Sequence, residues 1–356
     1  MRLRKAAWVL SCAVVLAGNG FAASKKEQRA VAAPPDLLLE GGRKLTFDRA
    51  LASERDIRGK PGFFKKLVDV VAGEAEYKAM VRPYGVAVDS HGRIIVTDPG
   101  IGGIHIFDPE QHKYKLIGRR EKSKDAMLQP QCIALDAGDN IYVTDSKAGK
   151  IFIFEPSGKY KGVFGSLKRG EGFFKRPTGI AIDPETQRVY VTDTLRDRVY
   201  ILDSHGQVLK WFGQHGEGNG EFNLPTELLI KNGIVAVVDA MNFRIQLFDR
   251  NGAFQSAIGN IGDAEDALFR PKGISLDSES HIYLVEGLSG TVQVFDREGQ
   301  LLYFFGQRGT ALGQFQLPAG VFIDRNDRVY VVDSYNRRVQ VFQYHGLKTG
   351  GQGAMP

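Results

Sequence analysis

One segment recurs six times along this chain, with successive copies 46 to 48 residues apart. Each copy begins at a proline, and the copies are PYGVAVD (83–89), PQCIALD (130–136), PTGIAID (177–183), PTELLIK (225–231), PKGISLD (271–277) and PAGVFID (318–324). A regular period of this length is typical of a repeat architecture, in which each unit buries its apolar face against its neighbours. Because all copies share the scaffold, function is expected at the positions where single copies differ.

Each repeat contains four short runs that predict β-strands. In the third copy they are TGIAID (178–183), VYVTD (189–193), VYILD (199–203) and a run that ends at WFG (211–213). The first run is almost continuously apolar, which suits a strand buried on both faces, and the third is rich in β-branched and aromatic residues. Asp, Asn, Gly and Pro stand between the runs, as tight turns require. Each repeat therefore predicts a four-stranded antiparallel sheet.

The sixth repeat lacks its fourth run, because VQVFQYHG (339–346) is followed by a polar, Gly-rich segment. A closed propeller completes its last blade with a strand from the other end of the chain, and so leaves no long open edge. Two N-terminal segments could supply this strand, LTFDRAL (45–51) and LVDVVAG (67–73). The Gly of the second segment lies ten residues before the first repeat proline, whereas the five internal Gly-to-Pro intervals are all twelve. This second segment also places its apolar residues on one helical face.

We therefore predict an all-β, six-bladed β-propeller of four-stranded antiparallel blades over residues 44–344, with its ring closed by an N-terminal strand. The closing strand is predicted over 44–51, a short helix over 62–72, and the repeats from about residue 75. Residues 345–356 are expected to be a flexible tail.

The first 22 residues resemble a secretory signal peptide, with a basic start (MRLRK), a mostly apolar stretch and a small-residue cleavage site. Its removal takes away three Lys or Arg and no acid, which lowers the net charge from +6 to +3. We expect an exported protein, periplasmic or extracellular, with a flexible leader over 23–43. The segment before Cys12 loosely resembles a lipoprotein processing box, which leaves lipid anchoring at Cys12 as an alternative. No later apolar run is long enough to predict a transmembrane segment in the mature chain.

Three recurring motifs carry a resemblance to a known family. They are the linker G-x-G-x-x-x-F-x-x-P, seen as GEGNGEFNLP (216–225), the P-x-G-I-A-V-D strand, and the hairpin D-x-x-N-x-R. The hairpin occurs as DAMNFR (239–244) and DSYNRR (333–338), with DTLRDR (193–198) close to it. Together they resemble the NHL repeat family of six-bladed β-propellers, over about residues 83–344. The resemblance implies an interaction module, although some relatives bind RNA and some are metal-dependent lyases.

The hairpin motif has a structural interpretation. Its Asp can accept backbone N–H bonds of the turn and pair with the Arg that begins the next strand. The residues predicted to act in this way are Asp193, Arg198, Asp239, Asn242, Arg244, Asp333, Asn336 and Arg338. Because an acid recurs at this position in every blade, we do not interpret these carboxylates as catalytic.

The histidines predict no metal site. No pair has the spacing of a helical zinc site, and no second cysteine accompanies Cys132 in the mature chain. The resemblance to metal-dependent lyases leaves a Ca²⁺ or Zn²⁺ ion at the ring centre as an alternative that no residue pattern supports. We therefore predict no catalytic residues and no cofactor.

The departures from the repeat lie at the start of the first run, which we predict to be the inner strand of each blade, next to the central channel. Cys132 and Glu227 stand where four copies have Gly, and Arg82, Arg176 and Arg270 precede the proline in alternate blades. Three Arg at intervals of about 120° would surround one opening of the channel and attract an anionic ligand or acidic partner. The competing interpretations are that the Arg stems merely cover apolar linker residues and that Cys132 is a small buried residue.

These observations predict a non-catalytic scaffold, most simply a monomer, that binds through one face of the ring near the central channel. Its partner is expected to be a protein or peptide of the cell envelope and to be acidic. The mature charge of +3 argues against nucleic acid. The alternative function is a metal-dependent lyase or hydrolase with its site in the channel.

Overall fold

The computed structural model describes residues 32–58, 77–118, 126–167, 171–259 and 268–346, and the described residues from 33 onward belong to one compact unit. The described ranges consist of strands and turns, with short 3-10 helices at Glu40–Gly42, Glu54–Asp56 and Thr194–Arg196. The strands form six separate antiparallel sheets. Each inner strand contacts the inner strands of both adjacent blades, and this succession closes into a ring. The predicted all-β, six-bladed propeller is confirmed, whereas the helix predicted over 62–72 lies outside the described residues.

Five blades follow one plan of four strands in chain order. Blade 1 contains β3 (Val86–Val88), β4 (Ile94–Asp98), β5 (Gly103–Asp108) and β6 (Lys113–Ile117). Blade 2 contains β7 (Pro130–Leu135), β8 (Ile141–Asp145), β9 (Lys150–Phe154) and β10 (Tyr160–Phe164). Blade 3 contains β11 (Pro177–Ile182), β12 (Val189–Asp193), β13 (Arg198–Leu202) and β14 (Val208–Phe212). Blade 4 contains β15 (Pro225–Lys231), β16 (Ile234–Asp239), β17 (Arg244–Asp249) and β18 (Phe254–Ile258). Blade 5 contains β19 (Pro271–Leu276), β20 (Ile282–Glu286), β21 (Thr291–Phe295) and β22 (Leu301–Phe305).

Blade 6 is completed from the N-terminus. Its own strands are β23 (Val321–Ile323), β24 (Arg328–Asp333) and β25 (Arg338–His345), and β2 (Lys44–Leu51) pairs antiparallel with β25. The closing strand predicted over 44–51 is therefore confirmed. A further short strand, β1 (Leu37–Leu38), pairs with the outer edge of β2. The end of the segment predicted as a flexible leader thus extends the last blade to five strands.

The Phe of the linker motif and the Gly that ends the outer strand belong to the packing between blades. Phe222 is fully buried and lies among Phe212 and Phe248, with ring centroids 6.3 and 5.5 Å away. Gly213, which ends the outer strand, has φ +91°, and a Cβ there would lie 2.4 Å from the Phe222 ring. The recurrent Gly therefore permits both a left-handed turn and close contact with the linker Phe.

Threonine hydroxyls link the inner strands of blades 1 to 4. Thr97, Thr144 and Thr192 lie on the second strands of blades 1, 2 and 3 and are fully buried. Each hydroxyl accepts the N–H of the third residue of its own Pro-started segment. It also donates to a carbonyl oxygen at the start of the next blade's inner strand, which is 2.6 Å away for Thr192. These bonds satisfy backbone groups that the irregular start of the inner strand leaves without ladder partners.

Candidate functional site at the central channel

Six residues form the layer that we call the waist of the channel, and each lies in an inner strand or immediately before it. They are Gly85, Cys132, Gly179, Glu227, Gly273 and Gly320. The four glycines have a steric cause, because adjacent inner strands approach closely at this level. A Cβ on Gly85 would lie 2.6 Å from the Gln131 carbonyl oxygen, and one on Gly320 would lie 2.7 Å from the Tyr84 carbonyl oxygen. Cys132 and Glu227 are therefore the two places where the waist carries functional groups.

Cys132 of blade 2 and Glu227 of blade 4 contact one another, although blade 3 lies between their blades along the ring. The Cys132 Sγ donates to Glu227 Oε2 over 2.8 Å, although 95 residues separate the two positions. Burial raises the pKa of the Glu227 carboxyl to about 7, while the bonds from the Cys132 thiol and the Leu228 N–H oppose that rise. Burial, followed by the Glu227 charge, raises the pKa of the Cys132 thiol well above its ordinary value. The thiol is therefore a weak nucleophile that serves as a hydrogen-bond donor to the carboxylate.

A cavity of about 430 Å³, which we call the vestibule, opens where the inner strands begin. Its lining includes all three arginines singled out by the sequence, Arg82, Arg176 and Arg270, together with Lys272. No Asp or Glu is among the described residues that line it. The cavity is therefore a concave surface of one sign, which attracts and concentrates anions.

The three arginines are held by their backbone N–H groups, and within the described ranges no hydrogen bond or ion pair holds their side chains. The N–H groups of Arg82, Arg176 and Arg270 donate to the buried carboxylates Asp98, Asp193 and Glu286 over distances of 2.8 to 2.9 Å. The side chains are exposed at the vestibule. The three arginines therefore line one opening of the channel, and the ring of carboxylates fixes where each one stands.

Tyr84 and Lys272 directly follow the proline of blades 1 and 5. Both side chains line the vestibule. Burial lowers the pKa of Lys272, and repulsion from Arg270 and Arg176 adds to the effect. The Lys272 Nζ lies 5.9 Å from the centroid of the Tyr84 ring. Burial raises the pKa of Tyr84 above its ordinary range, so its hydroxyl stays protonated. Sequence reasoning missed both residues, although a comparison of this one position across the six copies would have revealed them.

A second cavity, of about 540 Å³, lies on the other side of the waist. Its walls are mostly apolar, as at Ala134, Ala181 and Leu229, and its lining includes Cys132 and Glu227. Acidic and basic residues stand together at its mouth, among them Asp277 and Arg325. The channel is therefore asymmetric, because its two ends differ in charge.

The hairpin carboxylates act structurally, as the sequence predicted. Asp98, Asp145, Asp193, Asp239, Glu286 and Asp333 are at most 1% exposed. In blades 4 and 6 the Arg of the motif donates Nε to the Asp, at 2.9 Å for Arg244 and 2.7 Å for Arg338, and Asn242 and Asn336 donate to the same carboxylates.

Blade 3 differs from the predicted pairing. Arg196, and not Arg198, contacts Asp193, at 3.1 Å. Arg198 instead lies over the Trp211 ring, with its guanidinium carbon 3.8 Å from the ring centroid. The DTLRDR sequence has a second Arg on the turn itself, which reaches the carboxylate first, and this leaves Arg198 to a cation–π contact.

His105 and His112 are among the histidines that have structural partners. His105 is fully buried, with Nδ1 2.8 Å from the Tyr114 hydroxyl and Nε2 3.3 Å from Asp98 Oδ2. It stands where blades 4 and 6 have Gln246 and Gln340, whose amides donate to Asp239 and Asp333. His112 bonds the Ile57 carbonyl oxygen through Nδ1 at 2.8 Å.

One group of possible metal ligands lies away from the vestibule. Asp89, His91 and Asp139 bring one ligand atom each within 4.8 Å of one another. Arg93 already pairs with Asp89, and the Ser90 backbone and hydroxyl donate to Asp139. Blades 5 and 6 repeat the second contact between Ser278 and Asp327. The group is thus explained as a contact between blades, and we assign no metal to it.

Comparisons with known proteins agree with the fold. Residues 184–259 match a family model described as a six-bladed β-propeller, and residues 315–342 match the NHL repeat. The fold is therefore a six-bladed β-propeller, and its last repeat matches the NHL repeat that the motifs resembled. A search of curated proteins gives no match.

Solved structures with the same architecture differ widely in activity. A gluconolactonase from Xanthomonas campestris has a TM-score of 0.57 and 15% identity, over 88% of this chain and 99% of that one. Virginiamycin B lyase from Staphylococcus aureus has a TM-score of 0.54 and 14% identity, over 74% and 94%. An auxiliary nutrient binding protein from Bacteroides thetaiotaomicron has a TM-score of 0.59 and 11% identity, over 75% and 70%. At these identities the likeness concerns the fold alone.

Among the described residues, no helix has the length and apolar character needed to cross a membrane.

Proposed function

We propose that this chain is an exported, non-catalytic binding protein that holds an anionic ligand or acidic partner in the vestibule. The observation that supports this proposal is the positive charge of that cavity. Its lining includes Arg82, Arg176, Arg270 and Lys272, and no carboxylate is among its described lining residues. A concave cationic surface raises the local concentration of anions and speeds their capture. The signal-peptide pattern of residues 1–22 supports export.

The arginine side chains suit ligand binding, since no described residue forms a hydrogen bond or an ion pair with their guanidinium groups. Their backbone N–H groups make the structural bonds, so replacing the side chain should leave the ring intact. An Arg guanidinium offers a planar set of donors that matches a carboxylate or a phosphate. Lys272 lies deeper, where a bound anion would also offset the repulsion from Arg176 and Arg270.

Titration with a labelled acidic peptide tests this function. The probe is a short fluorescein-labelled peptide in which Glu alternates with Gly, added to the protein without residues 1–22 at low salt. Replacing Arg82, Arg176 and Arg270 together by Gln should weaken binding about tenfold or more, from roughly 0.5 kcal/mol for each exposed charge. Added salt should weaken binding to the unsubstituted protein, because it screens exposed charges.

A charge-matched control separates the vestibule from net charge. Lys159→Gln, Arg297→Gln and Arg325→Gln together remove the same charge from exposed turns that open at the opposite face. Equal loss in both triple variants, or no binding by the unsubstituted protein, would overturn the proposal. A stoichiometric Ca²⁺ or Zn²⁺ that chelation removes together with a catalytic activity would favour the metal-dependent enzyme instead.

A further inference from the structure

The vestibule is surrounded by exposed apolar side chains that the sequence analysis did not single out. Half of the sixteen large apolar side chains that are exposed among the described residues lie at this one face. They stand in the linkers just before the inner-strand prolines or in the turns between second and third strands, which open on the same side. These residues, which we call the apolar rim, are Val81, Leu128, Leu195, Leu224, Met241, Phe269, Leu288 and Tyr335, at 36 to 54% exposure.

The fold does not require apolar residues in the linker positions of the rim. Val81, Leu128 and Phe269 each donate their backbone N–H to a buried carboxylate over 2.6 to 2.8 Å. The equivalent residues of the other three blades make the same bond while carrying polar side chains. Those residues are Lys175, Asn223 and Gln316. The side chain at this position is therefore free to be polar, and three blades nevertheless expose an apolar one.

The fold does not require apolar residues at the turn positions of the rim either. Blades 3 to 6 place Leu195, Met241, Leu288 and Tyr335 two residues after the buried carboxylate. Blades 1 and 2 have Gly100 and Lys147 at that place and form the turn as well, with their N–H groups donating to Asp98 and Asp145. The turn thus tolerates small and charged residues. Exposed apolar groups that cluster without a structural need mark an interaction surface.

We propose that this face binds a polypeptide segment of a partner protein in which acidic residues are interleaved with apolar ones. Carboxylates of the segment enter the vestibule toward Arg176, Arg270 and Lys272, and its apolar side chains cover the rim. The inference rests on the proposed function, since it identifies the chemistry of the partner at the same site. Apolar anchors around a charged pocket give both affinity and orientation.

The combination of charge and rim favours a polypeptide over other anions. A small anion would fill part of the 430 Å³ vestibule and leave the rim in water. An anionic lipid surface is broad and flat, whereas Lys272 is half-buried inside a concave site. A peptide segment can place side chains in the cavity and across its surroundings at once.

Two labelled peptides of equal charge test the inference. In one Glu alternates with Gly, and in the other Glu alternates with Leu. The Glu–Leu peptide should bind more tightly. Phe269→Ser with Leu288→Ser should weaken it about fivefold or more, from roughly 1 kcal/mol of lost apolar burial. The Glu–Gly peptide should lose less affinity, because it has no apolar side chain to cover the rim.

The matched control lies in the same blade. Leu302→Ser with Phe304→Ser removes apolar side chains that are 46% and 50% exposed on the outer strand, against 53% and 54% for Phe269 and Leu288. This control should bind both peptides like the unsubstituted protein. Equal affinity for the two peptides, or equal loss in both double variants, would overturn the inference while leaving the anion site intact.

Two further outcomes distinguish this inference from the proposed function and from binding to a lipid surface. Failure of both peptides to bind would overturn the proposed function as well. Rim-dependent binding to vesicles containing phosphatidylglycerol, without rim-dependent binding to the Glu–Leu peptide, would overturn the polypeptide partner in favour of a lipid surface.

Discussion

The waist of the channel shows how one repeated position acquires two kinds of residue. Four inner strands need Gly there, because a Cβ would meet the backbone of the next blade. Cys132 and Glu227 depart from this rule and satisfy one another through the bond from Sγ to Oε2. An ionised carboxylate in such a place is unfavourable unless it is well bonded. Glu227 therefore titrates near neutral pH, with the Cys132 thiol as its side-chain donor.

The raised pKa of Glu227 predicts a loss of stability as the pH rises. The folded protein keeps this proton up to about pH 7, whereas the unfolded chain releases it near the ordinary value of 4.5. Between these two pKa values the folded state binds more protons than the unfolded chain, so the free energy of unfolding falls as the pH rises. The fall is complete once the pH exceeds the pKa of the folded state. Glu227→Gln cannot ionise. Its stability relative to the unsubstituted protein should therefore rise by about 3 kcal/mol across this range.

Urea denaturation at about pH 5 and about pH 8 measures this difference, because the first value lies near the lower end of the expected window and the second lies above it. Glu217→Gln is the matched control, because Glu217 is exposed and should change stability equally at both values. Cys132→Ala removes the donor to the ionised carboxylate and should move the window to higher pH. Parallel pH profiles for the unsubstituted protein and Glu227→Gln would contradict the assignment.

The elements show why some features could be predicted from sequence and others could not. The closing strand followed from counting, since the sixth repeat lacks a fourth run and the spacing before the first repeat excludes the later segment. The buried carboxylates followed from a position that recurs in every blade. The contact of Cys132 with Glu227 depends on the curvature of the ring, which brings residues from blades 2 and 4 together. The apolar rim was hidden because each member, taken singly, is an ordinary exposed side chain.

The closing strand predicts a sharp boundary for N-terminal truncation. β2 contributes Leu45 and Leu51, which are 3% and 1% exposed, and covers the edge of β25. A chain that starts at Lys44 keeps this strand and should remain folded and monodisperse. A chain that starts at Ala52 leaves the edge of β25 unpaired, which invites association with other chains.

Size-exclusion chromatography and thermal unfolding of the two truncated proteins test this boundary. Loss of two buried leucines and of a strand ladder should cost several kcal/mol, on the order of 2 to 5 for each Leu by comparison with core truncations. Equal elution and equal melting temperature for both chains would show that another segment closes the ring.

At the scale of the whole molecule, closure makes the stability of each blade depend on both neighbours. Buried clusters lie between successive blades, and one of them joins Phe305 and Phe315 to Phe342. An open solenoid can fray from its ends, because each repeat contacts only adjacent repeats. A ring has no end repeat, so opening one interface exposes apolar surface on two blades. We therefore expect the ring to unfold as one unit.

Trp211 provides a local probe for this cooperativity, because it is the single Trp that remains once residues 1–22 are absent. It lies on the outer strand of blade 3, distant along the ring from the closure at blade 6, and carries the Arg198 guanidinium over its ring. Its fluorescence transition in urea should coincide with the far-ultraviolet circular dichroism of all blades. In the chain that starts at Ala52 the two transitions should separate, because the opened ring can unfold from blade 6 while blade 3 persists. Separate transitions in the intact ring would instead mean that single blades unfold independently despite closure.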